Sequence, residues 1–355
     1  MSGAALAALP AAPGVAARPR YRALGAFRFG LALLVMLQHF QHLLPPPARA
    51  PFQALGLGVL AVAVFFALSG FIVAEALTGF YAGRPAGFLG NRVLRLAPPY
   101  IAALALSVLV HAALWQGGRL HPWEAPLPAA PWSPWLIAEN VRQLLPGLAP
   151  AGEFAFIPFV WTLRVEFAFY LVAFLVALAG SRLLPALAVA AAYLWFGAFL
   201  LRDHPLIAAD APFFALGVVA FWCLRQPVPL RAAGLAAAAA AALLAFACWH
   251  QPPGRDLSLQ LPLLAALLGG ALLCAAAPTP ARRLRGWDRG LGDLSYPLYL
   301  NHYVVGLAVS NLTPWRGALP YAAGVMLSLG LAALMHRLTE TPLRGLRDRL
   351  RGQSL

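Results

Sequence analysis

Residues 55–77 read LGLGVLAVAVFFALSGFIVAEAL, twenty-three positions with one charged side chain, Glu75. As a helix rising about 1.5 Å per residue this run is about 35 Å long, enough to cross the roughly 30 Å hydrocarbon layer of a bilayer. The apolar residues run without interruption instead of alternating, which favours a helix over a strand of a membrane barrel. In hydrocarbon every backbone N–H and C=O must be paired within the segment, and a helix meets that condition alone.

Nine more segments of the same character lie outward from it, at 27–44, 97–115, 156–179, 183–201, 209–224, 229–249, 259–276, 291–310 and 318–336. The expected fold is therefore all-α, a polytopic membrane helix bundle of about ten transmembrane helices. Composition agrees. The 355 residues are 61% hydrophobic and 11% charged, against about 45–50% apolar and about 25% charged in soluble chains. A formal charge of +14 would fit a nucleic-acid partner, but the basic residues are all Arg and sit between the apolar runs. That placement reads as loops retained in the cytoplasm, and nothing points to nucleic acid.

Counting arginines sets the orientation. With the N-terminus inside, eighteen fall in cytoplasmic segments (Arg18 to Arg22, Arg84 to Arg95, Arg182, Arg225, Arg231, Arg282 to Arg289 and Arg337 to Arg351). Six fall outside, at Arg49, Arg119, Arg142, Arg202, Arg255 and Arg316. Both termini are thus expected in the cytoplasm. Residues 1–20 lack a charged stretch leading into an apolar core and read as a disordered cytoplasmic tail, not a signal peptide; residues 21–350 form the membrane domain. The 116–155 loop, rich in Pro and Trp (Trp123, Trp132, Trp135), reads as an interfacial segment or lid. Cys223, Cys248 and Cys274 form neither a disulfide framework nor a metal-ligand spacing, and no metal is expected. The all-Arg basic set with much Ala and Pro suggests a GC-rich bacterium and hence its inner membrane.

Polar and ionisable groups within the bilayer are costly and mark function by default. Five places carry them. Arg28 and His39, in RFGLALLVMLQHF, are eleven residues apart, so they share a helix face about 16 Å apart along the axis. Arg28 alone could be a snorkelling flank residue, and His39 an interfacial histidine like His42. Arg92 and Arg95, at i and i+3, form a fork suited to phosphate or serve as positive-inside anchors. Glu166 lies within FVWTLRVEFAFYLV, with Tyr170 on its face at i+4; Arg164, two positions away, faces elsewhere. Ser69-Gly70 permits close approach of a helix or ligand, or a bend. In LSYPLYLNHYVV (294–305), Pro297 predicts a kink, and Tyr296, Tyr299 and His302 form one stripe.

The order and spacing of these features resemble the acyltransferase family 3 membrane proteins, which acylate hydroxyls of polysaccharides, lipids and antibiotics. Arg28 and His39 are similar to that family's Arg-x10-His motif. Phe65, Phe66 and Ser69 to Phe71 are similar to its FF-x-LSGF segment, and Arg92 with Arg95 to its Arg-x-x-Arg. Trp161, Leu163, Glu166 and Tyr170 match W-x-L-x-x-E-x-x-x-Y, residues 295–302 the S-Y-x-x-Y-L-x-H segment, and Glu340 with Pro342 the closing E-x-P. Arg164 departs from the pattern, standing where many members have a small or hydroxylated residue.

The resemblance implies an acyltransferase using a cytoplasmic acyl-CoA, acetyl-CoA in the simplest case, as co-substrate, with no permanently bound cofactor. Arg28, Arg92 and Arg95 would bind its phosphates. His39 would act as general base or carry the acyl group itself, with Glu166 orienting the imidazole. Ser69, Trp161, Tyr170, Tyr299 and His302 would line the substrate path. The acceptor would be a carbohydrate or glycolipid hydroxyl. A flippase of a lipid-linked sugar would also carry intramembrane charge, but often shows an internal repeat, and none is visible here. A non-catalytic assembly subunit is the other reading. Acyl length, acceptor identity and oligomeric state are not encoded legibly.

Overall fold

The computed structural model describes residues 22–121, 132–146, 154–180, 205–225, seven helical positions between 231 and 245, and 260–352. The 1–20 tail, the 183–201 segment, most of 229–249, Trp123, Arg182, Arg202, Arg255 and Cys248 lie outside the described residues.

Among the described residues the chain is helical throughout, with no strand. Helix α1 (Gly25–His39) runs into a short 3-10 turn, Phe40–Leu43. It is followed by α2 (Pro46–Leu55), α3 (Leu57–Thr78), α4 (Pro85–Gln116), α5 (Pro134–Arg142) and α6 (Val160–Ala179). Then come α7 (Pro205–Arg225), α8 (Leu261–Ala276), α9 (Arg282–Leu312) and α10 (Ala318–Met335). A π-helical turn, His336–Glu340, leads to α11 (Arg344–Leu350).

Four of these, by length and composition, can cross a membrane: α2 with α3, α4, α6, and α10 with its π turn, while α8 is shorter and apolar. Helices α1 and α9 carry more polar residues, and both pack inside the bundle, where a neighbouring helix replaces lipid and lipophilicity is not required. Three boundaries differ from the sequence expectation. Helix α4 begins at Pro85 instead of residue 97 and α9 at Arg282 instead of 291: each helix continues beyond the apolar run through its arginine-bearing leading turns, despite two glycines in each. The short α2 precedes α3 across Gly56, whose φ of +56° supplies the left-handed turn between them. Pro297 lies inside an uninterrupted α9.

Glycine sets two helix contacts. Helix α3 packs most extensively on α7, and α1 on α9. A Cβ on Gly70 would lie 2.0 Å from the Phe214 carbonyl oxygen, and one on Gly217 1.8 Å from that of Ala67, so neither helix tolerates a side chain at the crossing. On the other pair, the Asp288 carboxylate accepts from the N–H groups of Gly25 (3.1 Å) and Ala26 (2.8 Å), satisfying the donors that α1 leaves unpaired at its start.

The 116–155 loop, where described, folds inward. Ser133 caps α5 by accepting from the Leu136 N–H at 3.1 Å. Asn140 donates to the Phe154 carbonyl (3.0 Å) and accepts from the Phe156 N–H (2.8 Å). Arg164 donates from Nε to the Gln143 carbonyl at 2.8 Å, which gives this departure from the family pattern a structural job. As the i, i+2 spacing requires, it faces away from Glu166.

A candidate active site in two adjoining chambers

The first chamber is built from side chains of α1, α3, α4, α6 and α9. Arg28, Arg92 and Arg95 line it together with Glu166, Ser69 and Tyr170. The i, i+3 spacing of Arg92 and Arg95 on α4 turns both inward, onto the cavity that Arg28 reaches from α1. Arg92 lies over the rings of Tyr170 (5.1 Å) and Phe88 (5.3 Å), and its buried Nε has no hydrogen-bond partner among the described residues.

Among the described residues none of these three guanidiniums forms an ion pair. Glu166, the carboxylate lining the chamber, is occupied by neutral donors. It accepts from the Ser69 hydroxyl at 3.1 Å and from the Tyr170 hydroxyl. Glu340 is held by Arg347 (3.6 Å) and His336 (3.8 Å). Burial, and then Arg95, bring Arg347, beyond the last span, down to about 10, a sign of how much positive charge crowds this end of the bundle. Three cations facing one carboxylate, Arg92 buried and Arg28 and Arg95 half-buried, form a site for an anion.

The second chamber is lined by His39, Gln38, Trp161, Phe159 and Asp210. It shares Val62 and Tyr299 with the first. Tyr299 therefore sits at the junction, its hydroxyl 2.7 Å from that of Thr162.

His39 Nδ1 lies 2.8 Å from His302 Nε2, and His302 Nδ1 lies 3.2 Å from the Leu298 carbonyl oxygen. A carbonyl can only accept, so His302 carries its proton on Nδ1 and accepts at Nε2. His39 must then donate from Nδ1, and its own Nε2 is the unprotonated nitrogen. The tautomer is thus assigned from the bonding pattern. Phe159 fixes both rings, stacking on His302 at 4.5 Å and 7° and on His39 at 5.0 Å and 22°.

The sequence-derived candidates divide between these places. Arg28, Arg92, Arg95, Ser69, Glu166 and Tyr170 meet in the first chamber; His39 and Trp161 line the second; Tyr299 lines both. Two assignments change. Glu166 does not contact His39: its hydrogen bonds go to Ser69 and Tyr170, and it lies on the guanidinium side. The group orienting His39 is His302, expected only to line the substrate path. Ser69-Gly70 serves two partners, since Ser69 bonds Glu166 while Gly70 admits α7.

The sequence reading missed Asp210, which is buried against the second chamber. Its signal was present, an aspartate at the start of an otherwise apolar run, but it stood close enough to the segment edge to pass for a boundary residue. Phe159, one position before α6, left no trace that spacing alone would reveal.

Polar chambers inside an apolar helical bundle, one cationic and one built around an oriented histidine, define a membrane protein with the outline of a group-transfer enzyme. The family model described as an acyltransferase domain, that of acyltransferase family 3, matches residues 21–337, and the chain belongs to that family. Neither the curated proteins nor the solved structures provide a match.

Proposed function

We propose that this chain is a multi-pass O-acyltransferase of a bacterial inner membrane. It moves an acyl group, acetyl in the simplest case, from cytoplasmic acyl-CoA to a hydroxyl of a cell-surface polysaccharide, glycolipid or related acceptor. The observation that carries this reading is the adjacency of the chambers: three guanidiniums without ion-pair partners among the described residues line one, His39 lines the next, and Val62 and Tyr299 belong to both. The donor's phosphates occupy the guanidinium chamber, and its thin pantetheine arm passes Tyr299 to bring the thioester to His39.

There the unprotonated Nε2 takes the proton of the acceptor hydroxyl as its oxygen attacks the thioester carbonyl. The C–S bond breaks, and the departing thiolate recovers the proton from His39. A two-step route balances equally: Nε2 attacks first, releasing the thiolate, and the acceptor oxygen then displaces the neutral imidazole from the acyl carbon while the hydroxyl proton passes to the thiolate. His302 holds the productive tautomer in either route. The proposed topology is ten spans with both termini in the cytoplasm, 1–20 as a tail and 21–350 as the catalytic domain. The same-direction run of α1 and α9, joined at Gly25–Asp288 and again at His39–His302, fits this topology, in which spans one and nine both leave the cytoplasm.

The test is mass spectrometry of surface glycans and lipids from cells with and without the gene. Loss of an acyl mass, restored by the wild-type gene but not by His39→Ala expressed at equal level, is the expected result. Restoration by His39→Ala, or glycans and lipids unchanged in the deletion, refutes the proposal. Transport of a lipid-linked sugar without acyl-CoA consumption would assign the chain to the flippase class.

A further inference from the structure

A second cluster of arginines lies away from both chambers. The leading turns of α9 and the end of α10 with its π turn bound an open cleft lined by Arg283, Arg289, Arg337 and Arg344. Its lining shares no residue with the first chamber. The carboxylate in the lining is Asp293, 3.5 Å from Arg344. Arg283 and Arg337 have neither a hydrogen-bond acceptor nor an ion-pair partner for their guanidiniums among the described residues, and both are exposed. Four arginines and one carboxylate among the described lining residues, with Arg283 and Arg337 open to solvent, make the cleft positive.

Its setting distinguishes it from an ordinary basic surface. Both bounding helices change character at this level: α9 from RRLRGWDRG to LSYPLYL, and α10 from an apolar run to HRLTE. That transition is where a membrane-crossing segment meets the headgroup layer. Trp287, in the lining, is 68% exposed, and Leu284, on the same turns, is 60% exposed. Large apolar side chains beside arginines are unfavourable in bulk water but suit the boundary between headgroups and acyl chains. Gly286 and Gly290, one turn apart, also line the cleft, and a Cβ on either would meet nothing within 4 Å. Helix packing therefore does not require them, and they leave the cleft open.

We propose that this cleft is a binding site for the phosphodiester headgroup of an anionic phospholipid. The arginines hold the phosphate by charge-assisted hydrogen bonds, and Trp287 and Leu284 lie against the upper acyl chain. Juxtamembrane basic pockets between helices bind acidic lipids on the same physical grounds. The site does not depend on the acyltransferase reading and would hold for a transporter as well.

Native mass spectrometry of the full-length protein in mild detergent tests it, with phosphatidylglycerol, cardiolipin or phosphatidylcholine added. The acidic lipids should be retained and phosphatidylcholine lost. The double variant Arg283→Gln, Arg337→Gln should weaken acidic-lipid retention by about tenfold or more, as loss of charge-assisted contacts implies. Gly290→Leu, which fills the cleft without changing its charge, should weaken it too. All three positions are exposed, so these proteins should fold as the wild type does. Equal retention of phosphatidylcholine and the acidic lipids overturns the proposal, as does undiminished retention by the double variant. Displacement of bound lipid by millimolar inorganic phosphate or by coenzyme A overturns it in favour of a soluble phosphate ligand.

Discussion

Replacing His302 with alanine removes the acceptor that holds His39 in its working tautomer. Two effects set the size of the change. The 2.8 Å bond joins two neutral rings, and such a bond contributes about 1 kcal/mol net, or roughly fivefold in rate. A base whose orienting partner no longer specifies its tautomer can lose up to about 10⁴-fold. His302 is wholly buried and stacked on Phe159, so alanine also opens a hole into which the His39 ring can turn. Between these limits we expect kcat to fall about 100-fold, a middle value on the scale set by those two effects. His302→Gln keeps an oxygen acceptor and should recover most of the loss. The donor KM should hardly change in either variant, because His302 lines neither chamber. Initial rates of coenzyme A release by purified protein, at varied acyl-CoA, separate kcat from KM. An alanine variant that turns over like the wild type, or one whose KM rises while kcat holds, refutes the assignment of His302 as the positioning residue.

Gly217→Ala would place a Cβ 1.8 Å from the Ala67 carbonyl oxygen, and backbone there cannot yield as a flexible side chain would. It should cost about 1–3 kcal/mol or more, seen as a lower unfolding temperature in detergent, whereas Gly234→Ala, with nothing near its Cβ, should not. Arg95→Gln should weaken coenzyme A binding by calorimetry about tenfold or more, the value of a charge-assisted bond, and flatten its salt dependence; unchanged affinity would remove the guanidinium chamber from donor binding.

The helical class and the polar residues that share a helix face are legible in the sequence, because each follows from local periodicity. Arg28 with His39 and Arg92 with Arg95 are spacings along single helices, and a chain pattern encodes them directly. What it could not show is which helix each polar face meets. By analogy with a triad carboxylate the sequence suggests Glu166 as the group orienting His39, but partners are set by helix packing: Ser69 on α3 reaches Glu166, and His302 on α9 reaches His39. Arg164 looked anomalous for the same reason, since its partner, the Gln143 carbonyl, lies in a loop whose inward fold has no periodic signature. Helices α4 and α9 were drawn too short because hydropathy marks where lipid begins, not where the helix does.

Helices α1 and α9 touch at Gly25–Asp288 and at His39–His302, and the offset in residue number is 263 at both places. Two parallel helices pinned fourteen residues apart in identical register cannot slide past each other without losing one pin. Arg28 and His39 lie on one continuous helix of that pair, so the gap between them is a fixed gauge rather than an adjustable one. If the proposed mechanism holds, a donor whose anionic head and reactive carbon are separated by the wrong length would be rejected by measure, not by affinity.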